Sequence, residues 1–373
     1  MQNSQKEPRN PGSAYVGYCA EELEDQREIA RIMSDSRKRA TIIDVATAAN
    51  VSTKTVSRVF NDEPHVRKIL RDKVLKAAAE LDYHPNIMAR GLVGRRSYLL
   101  GLIYENPSPN YVVELQNGAL DRLHGEKYRL LVLPVQSVVE VSGKIMSVLR
   151  AAALDGVILS PPASDHPGIL SELRQYDFPF ARIAPTQSLD IGPCRTTDDI
   201  EASRKMTEYL LELGHTRIGV IKGDPTHPSS GARLTGFLEA LKAAGLSHSP
   251  DLVEQGYYTY ESGLAAAHKL LNRTDRPTAI FAQNDDMAAA AIMAARDLGL
   301  NVPDDVSISG FDDSAIAQIV WPRITTVHQP VYDMARDATD ALIAKLEKKP
   351  FNMLGTHVCE LIIRQSTAPP ASR

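Results

Sequence analysis

The sequence predicts a two-part molecule: a small all-α head followed by an α/β core built on parallel sheets. Residues 41–61, TIIDVATAANVSTKTVSRVFN, hold two short helical patterns separated by a tight polar break. From Tyr98 onward, apolar runs of strand length alternate with amphipathic stretches of helix length, the signature of parallel sheets covered on both faces. The length of 373 residues and a hydrophobic share of 43% suit two or three packed domains.

In the head, Ile42, Ile43, Val45, Ala46 and Ala49 give the first segment one apolar face at helical period. Asn50 can take the turn geometry, and Ser52 stands where an N-cap belongs. The second segment buries Val56 and Val59 and turns Thr53, Lys54, Thr55, Ser57 and Arg58 elsewhere, with Asn61 just beyond. Lys54 and Arg58 are four apart and share a face. Hydroxyls there suit phosphates, and the two cations suit guanine edges in a major groove. An ordinary helical hairpin with a solvated face is the competing reading. A third amphipathic helix follows through Val66, Leu70, Val74, Ala77 and Leu81.

Residues 86–94 predict a short, weak helix, since Gly91 and Gly94 each cost about 1 kcal/mol against Ala in a helix interior. Arg90, Arg95 and Arg96 surround one protruding apolar side chain, Leu92, and a basic interdomain linker would look the same. Residues 37–97 hold 13 Lys+Arg against 6 Asp+Glu, a surplus of +7 that leaves −11 on the rest of a chain whose net charge is −4. A basic head on an acidic body orients the head toward phosphate.

Residues 1–40 are polar and charged, with one candidate helix at Glu21 to Ile32, and are expected to be mostly disordered. SDSRKRATIIDVA after Met33 raises Met33 as an alternative translation start. The cysteines Cys19, Cys194 and Cys359 are scattered and form no metal-ligand pattern. Without an 18-residue apolar run or a signal peptide, a cytoplasmic protein is expected.

The strand candidates of the core are YLLGLIY, YRLLVLP, GVILS, FPFARIA, RIGVIKG, TAIFAQ and DVSISGF. Between them lie helices at Val112 to Leu123, Ile200 to Leu213, Ala232 to Ala244, Ser262 to Leu271 and Asp285 to Leu298. In such folds a ligand lies beyond the strand C-termini. His215, in LGHTRIG, follows Gly214 at a helix end and reads as a cap for that helix. The carboxylate doublets 285/286 and 312/313 are adjacent in sequence and point apart, so neither is a paired acid and base. P-loop, HExxH, GxGxxG and GxSxG motifs are absent, so no cofactor or metal is called for and nothing positive supports an enzyme.

VSTKTVSRVFN together with YHPNxxARxL resembles the DNA-binding head and hinge helix of the lactose-repressor (LacI/GalR) family. LLELGHTRIGVI, Arg233 to Phe237, FAQNDDMAAAA, ISGFDDSAIA and WPRITTVHQP resemble its periplasmic-binding-protein-like core. The resemblance covers residues 41 to about 366 and implies a helix-turn-helix domain at 41–85, a hinge helix and linker at 86–97, and an effector and dimerisation domain at 98–366, before a tail at 367–373. It implies that Leu92 wedges into the minor groove, that Asn86 and Arg90 join the DNA contacts, and that the hinge folds only on DNA. It further implies a core crossed three times by the chain, one subdomain near 98–196 plus 328–354 and the other near 197–327 plus the terminal strand.

For the cleft between them, the resemblance implies that Arg233 meets ligand hydroxyls or carboxyls and that Asp312 accepts from hydroxyls opposite. Asn284 suits a hydroxyl, while Asp285 and Asp313 are equally good as helix caps. Tyr111 is either a stacking platform or a core tyrosine; Ser160 and Arg182 occupy positions that face the cleft in relatives. Arg182 meets either an acidic effector or a structural carboxylate. Many relatives carry an acidic residue where Ala184 stands, which implies a different effector here. Trp321, the only tryptophan, is set to stack on a ligand or to pack. The function implied is a DNA-binding repressor of carbohydrate genes, a homodimer on a near-palindromic operator, released by a sugar-like inducer. A corepressor-dependent regulator is the alternative, and a sugar-metabolising enzyme a remote one.

Overall fold

A computed structural model describes residues 40–60, 63–83, 96–105 and 108–371. It divides into two compact units, Met1–Gly94 and Arg95–Arg373.

In the first unit, α1 (Ile42–Ala49) opens with a capping box: Asp44 N–H donates to Thr41 Oγ1, and Thr41 N–H donates to Asp44 Oδ2. Asn50 ends the helix in the left-handed region at φ 51°. Its side chain tolerates that region better than most, so the chain can reverse within two residues. α2 (Thr53–Phe60) is capped by Ser52, whose Oγ accepts from Thr55 N–H at 3.1 Å. α3 (Lys68–Glu80) crosses both, and Arg71 ties it to the end of α2 through the carbonyls of Val59 and Glu63. Val45, Ala46, Ala49, Val56, Val59, Val74, Ala77 and Ala78 form one small core. The predicted hinge, with Asn86, Arg90 and Leu92, and Asn61 beyond α2, lie outside the described residues, as does the 1–39 extension.

The second unit begins with β1 (Leu99–Tyr104), α4 (Pro109–Leu123), β2 (Arg129–Pro134), α5 (Val138–Val141), α6 (Ile145–Ala151), β3 (Gly156–Leu159), α7 (Pro167–Gln175), β4 (Phe180–Ile183) and β5 (Cys194–Thr196). It continues with α8 (Asp199–Glu212), β6 (Ile218–Lys222), α9 (Pro228–Ala243), β7 (Val253–Gln255), α10 (Tyr260–Leu271), β8 (Ala279–Ala282), α11 (Asp285–Asp297), β9 (Ser307–Ser309), α12 (Ala315–Ile319) and β10 (Thr326–His328). The chain then returns through α13 (Val331–Leu346), β11 (Leu354–Thr356) and β12 (Glu360–Ile362).

Two parallel sheets result, in the orders β11-β5-β4-β3-β1-β2 and β7-β6-β8-β9, with a small antiparallel β10-β12 pair beside them. Each parallel sheet carries an apolar cluster on both faces, which is why its central strands read as unbroken apolar runs. α13 belongs to the first sheet although it follows the second in sequence. It packs on α4 so closely that a Cβ at Gly118 would stand 2.1 Å from the carbonyl oxygen of Tyr332. The seven strand candidates coincide with β1–β4, β6, β8 and β9. The other strands, β5, β7, β10, β11 and β12, have three residues each and lack the apolar alternation that marks the equally short β9.

Gly214, at φ 98°, closes α8 in a Schellman turn: its N–H reaches Leu211 O and that of His215 reaches Leu210 O. Thus His215 caps with its backbone, while its ring bridges Thr278 Oγ1 and the Ala368 carbonyl at 2.9 Å each, locking the C-terminal segment onto the second sheet. Among the described residues, no helix is long and apolar enough to cross a membrane.

Candidate functional site

On the head, α2 leaves Thr53, Lys54 and Arg58 exposed while Val56 and Val59 face inward. Arg58 leans on Glu63 at 3.3 Å, with both side chains about half exposed. Thr55 is half-buried and shares its hydroxyl with Ser52, so these two shape the helix start; Ser57 is half-buried. The free face is therefore short, cationic and rimmed by hydroxyls, which is what a groove-reading helix presents.

In the second unit, the ends of strands from both sheets converge on one cleft, lined from one side by Ser108, Tyr111, Pro161 and Ala184 and from the other by His227, Ser229, Arg233, Tyr258, Asn284, Asp312 and Gln329. Arg233, from α9, is its centre. Nε donates to Asp199 Oδ1 at 2.7 Å, Nη1 to the Gln283 carbonyl at 2.6 Å, and Nη2 to Gln329 Oε1 at 3.3 Å. Asp312 Oδ1 stands 3.5 Å from Nη1, and the guanidinium lies 3.6 Å above the ring centroid of Phe311. Burial is the largest influence and opposes the guanidinium charge, but Asp199, Tyr258 and Asp312 together outweigh it and raise the pKa.

Asp312 holds φ 109°, unusual for any residue but glycine, fixed by its N–H to the Val327 carbonyl at 2.8 Å. Burial pushes its carboxyl up to about 7 against the pull of Arg233. Tyr258 reaches the cleft because β6 is followed by Gly223, where a Cβ would stand 2.0 Å from the tyrosine ring. Its ring meets His227 edge-on at 5.5 Å, and burial drives His227 down to about 4, so that imidazole is neutral. Across the cleft, Ser108 Oγ donates to Asp286 Oδ2 at 2.8 Å, joining the start of α4 to the start of α11. The remaining cavity is about 30 Å³, room for little more than a water or two.

The structure therefore brings Arg233, Asp312, Asn284 and Tyr111 together and moves three expected residues elsewhere. Arg182 is fully buried and does not line the cleft. It donates to the carbonyls of Ser164, Gln187, Ser188 and Ile191 and pairs with Asp165 at 2.9 Å. It is a loop-clamping arginine, because five fixed donors in a strand can be satisfied only by folding loops around them. Ser160 is likewise buried, its hydroxyl spent on the Ile103 carbonyl, and its neighbour Pro161 takes the wall position. Trp321 is 69% exposed on the surface, away from the cleft.

Asn284 touches the cavity, but Oδ1 caps α11 through Met287 N–H and Nδ2 donates to the Tyr258 carbonyl, so it serves as cap and tether. Asp285 does not cap α11; it accepts from Ser314 N–H and Thr326 Oγ1. Asp313 pairs with Arg364 and His328. His227, Ser229, Tyr258, Gln329, Asp199 and Ser108 escaped the sequence reading. Pro228 at the first position of α9 was the signal for His227, as a helix start after a strand end; Tyr258 follows a strand too short to recognise.

A basic helical head joined to a two-sheet core with a polar cleft beyond its strand ends defines a ligand-responsive DNA-binding regulator. A family model described as bacterial regulatory proteins, lacI family, matches residues 41–86, and one described as a periplasmic binding protein-like domain matches residues 207–367. The HTH-type transcriptional regulator DegA of Bacillus subtilis is 35% identical over 337 residues, covering 89% of this chain and 99% of that protein. The structure of the lac repressor dimer bound to operator and the anti-inducer ONPF superposes with TM-score 0.77 at 26% identity, over 89% of this chain and all of that one. The complex of the regulator CelR with cellobiose gives TM-score 0.66 at 29% identity, over 88% and 100%. The chain belongs to the LacI family of bacterial transcriptional regulators.

Proposed function

We propose that this regulator is a repressor of carbohydrate genes, a homodimer that grips a near-palindromic operator through α2 and is released by a sugar-like inducer bound at Arg233 and Asp312. The carrying observation is the cleft: a fixed guanidinium and a carboxylate lie on one side and a buried tyrosine on the other, beyond the strand ends of both sheets. Hydroxyl donors satisfy Asp312, and Tyr111 and Tyr258 offer faces to a pyranose ring. Because the cavity holds only about 30 Å³, a sugar enters only if the two sheets part or rotate, so binding and core conformation are coupled. A two-fold dimer matches an operator with two half-sites. Acting on the chromosome, the protein works in the cytoplasm.

The test is a gel shift of full-length protein on its own promoter, titrated with sugars. Release at sugar concentrations that leave Asp312→Ala on the DNA supports the reading; tighter binding with sugar assigns a corepressor mechanism instead. Indifference of operator affinity to every sugar that binds the core sinks the proposal.

A further inference from the structure

Resting on the reading of the cleft as the effector site, we propose that it selects uncharged polyhydroxylated ligands and rejects sugar phosphates and sugar acids. An arginine at the centre of a cleft ordinarily suggests an anion. Here the guanidinium is already claimed. Asp199 holds Nε at 2.7 Å, the Gln283 carbonyl and Gln329 take Nη1 and Nη2, and Asp312 stands 3.5 Å away. An incoming phosphate would have to displace Asp199, leaving a buried carboxylate unpaired, or settle against Asp312.

Among the described residues that line the rest of the cleft there is no second cation. His227 is neutral because it is buried, and the remaining lining side chains are hydroxyls, an amide pair and apolar groups. Of the helix N-termini at the cleft, the other usual anion receptors, that of α11 is answered from within the chain. The start of α11 carries its own Asp285 and Asp286, with Asn284 Oδ1 taking the Met287 N–H. The start of α4 has proline at its first position, and Ser108 before it faces Asp286 at 2.8 Å. One guanidinium thus stands between the carboxylates of Asp199 and Asp312, with Asp286 a further carboxylate acting on Asp312, and this group is net negative whenever Asp312 is ionised. A neutral polyol meets no such penalty: its hydroxyls donate to Asp312 and accept from Tyr258 or Ser229, whose hydroxyls stand 3.3 Å apart.

The experiment is calorimetry on the full-length protein near pH 8, above the point of about 7 to which the Asp312 carboxyl is pushed. The probes are matched pairs: cellobiose and cellobionic acid, glucose and glucose 6-phosphate, galactose and galacturonic acid. For whichever pair binds, the neutral member should bind at least about tenfold more tightly, and Asp312→Asn should narrow that ratio by about the same factor. An acid or phosphate binding as tightly as its neutral partner overturns the charge rule while leaving the effector site standing. An unchanged ratio in Asp312→Asn overturns it as well. Binding by no member of any pair removes these polyols from the cleft and takes down both this proposal and the sugar reading beneath it.

Discussion

Arg182 and Arg233 are both buried, both paired with an aspartate, and both held by backbone carbonyls, yet they do opposite work. Around Arg182, four carbonyls and Asp165 close a shell, and Asp165 spends its other oxygen on the N–H and hydroxyl of Thr186. Nothing is left to offer a ligand. Around Arg233 the shell is open on one side: Asp312 is 3.5 Å away rather than in close contact, and it faces the cavity. In the proposed effector site, the difference teaches that a buried ion pair would serve a ligand through what its carboxylate still has to give, not through the arginine itself.

Replacing each arginine tests that contrast. Arg182→Ala leaves Asp165 buried and unpaired, so we expect a loss of about 3–5 kcal/mol in stability, read as a fall in unfolding midpoint. A change confined to ligand affinity would break the comparison. Arg233→Ala likewise leaves Asp199 buried and unpaired and should cost stability, but beyond that it should weaken effector binding by roughly 2–5 kcal/mol while operator binding persists, checked by calorimetry beside a gel shift. Normal induction in that variant would show that the cleft has been misassigned.

Arg58 sharpens the comparison from the exposed end. Its pairing with Glu63 at the surface is worth little, so Arg58→Ala should move the unfolding midpoint by less than about 0.5 kcal/mol in stability. Operator affinity should nonetheless fall by about 1–3 kcal/mol, concentrated at one base position if the contact is a bidentate pair with guanine. A further effect is expected from acid titration. Burial raises the Asp312 carboxyl from 3.8 to about 7 in the folded protein, which therefore holds that proton more tightly than the unfolded chain does. Stability should rise as pH falls through about 7, the gain being complete below 3.8, and Asp312→Asn should flatten this part of the profile. Identical profiles for the two proteins between pH 6 and about 8 would remove Asp312 from the account.

Much of this was legible in the sequence where chemistry and periodicity coincide. The Ser52 cap, the turn at Asn50 and the inward pair Val56 and Val59 follow from local rules, and the structure keeps all of them. Arg233 and Asp312 were readable through the family resemblance of their surroundings. For Arg182 the structural-carboxylate alternative held, but the sequence could not choose it, because its partner Asp165 sits 17 residues earlier in a short turn with no pattern to mark it. Tyr258 and His227 were hidden for a related reason: they lie in connections whose positions are set by long-range packing, such as the gap left at Gly223. Trp321 misled through its chemistry alone, since an indole suits a sugar and a surface equally well.

The hydrogen bond from Ser108 to Asp286 spans the cleft without touching the cavity's charged centre. A bond worth about 1 kcal/mol shifts a two-state balance about fivefold. In the proposed repressor, that factor acts before any sugar arrives, so this contact is one that tunes how leaky the controlled promoter is at rest. Substitution at position 108 would retune background expression and dose threshold together, while the sugars recognised stayed the same. Sensitivity and selectivity would then be adjustable at separate residues.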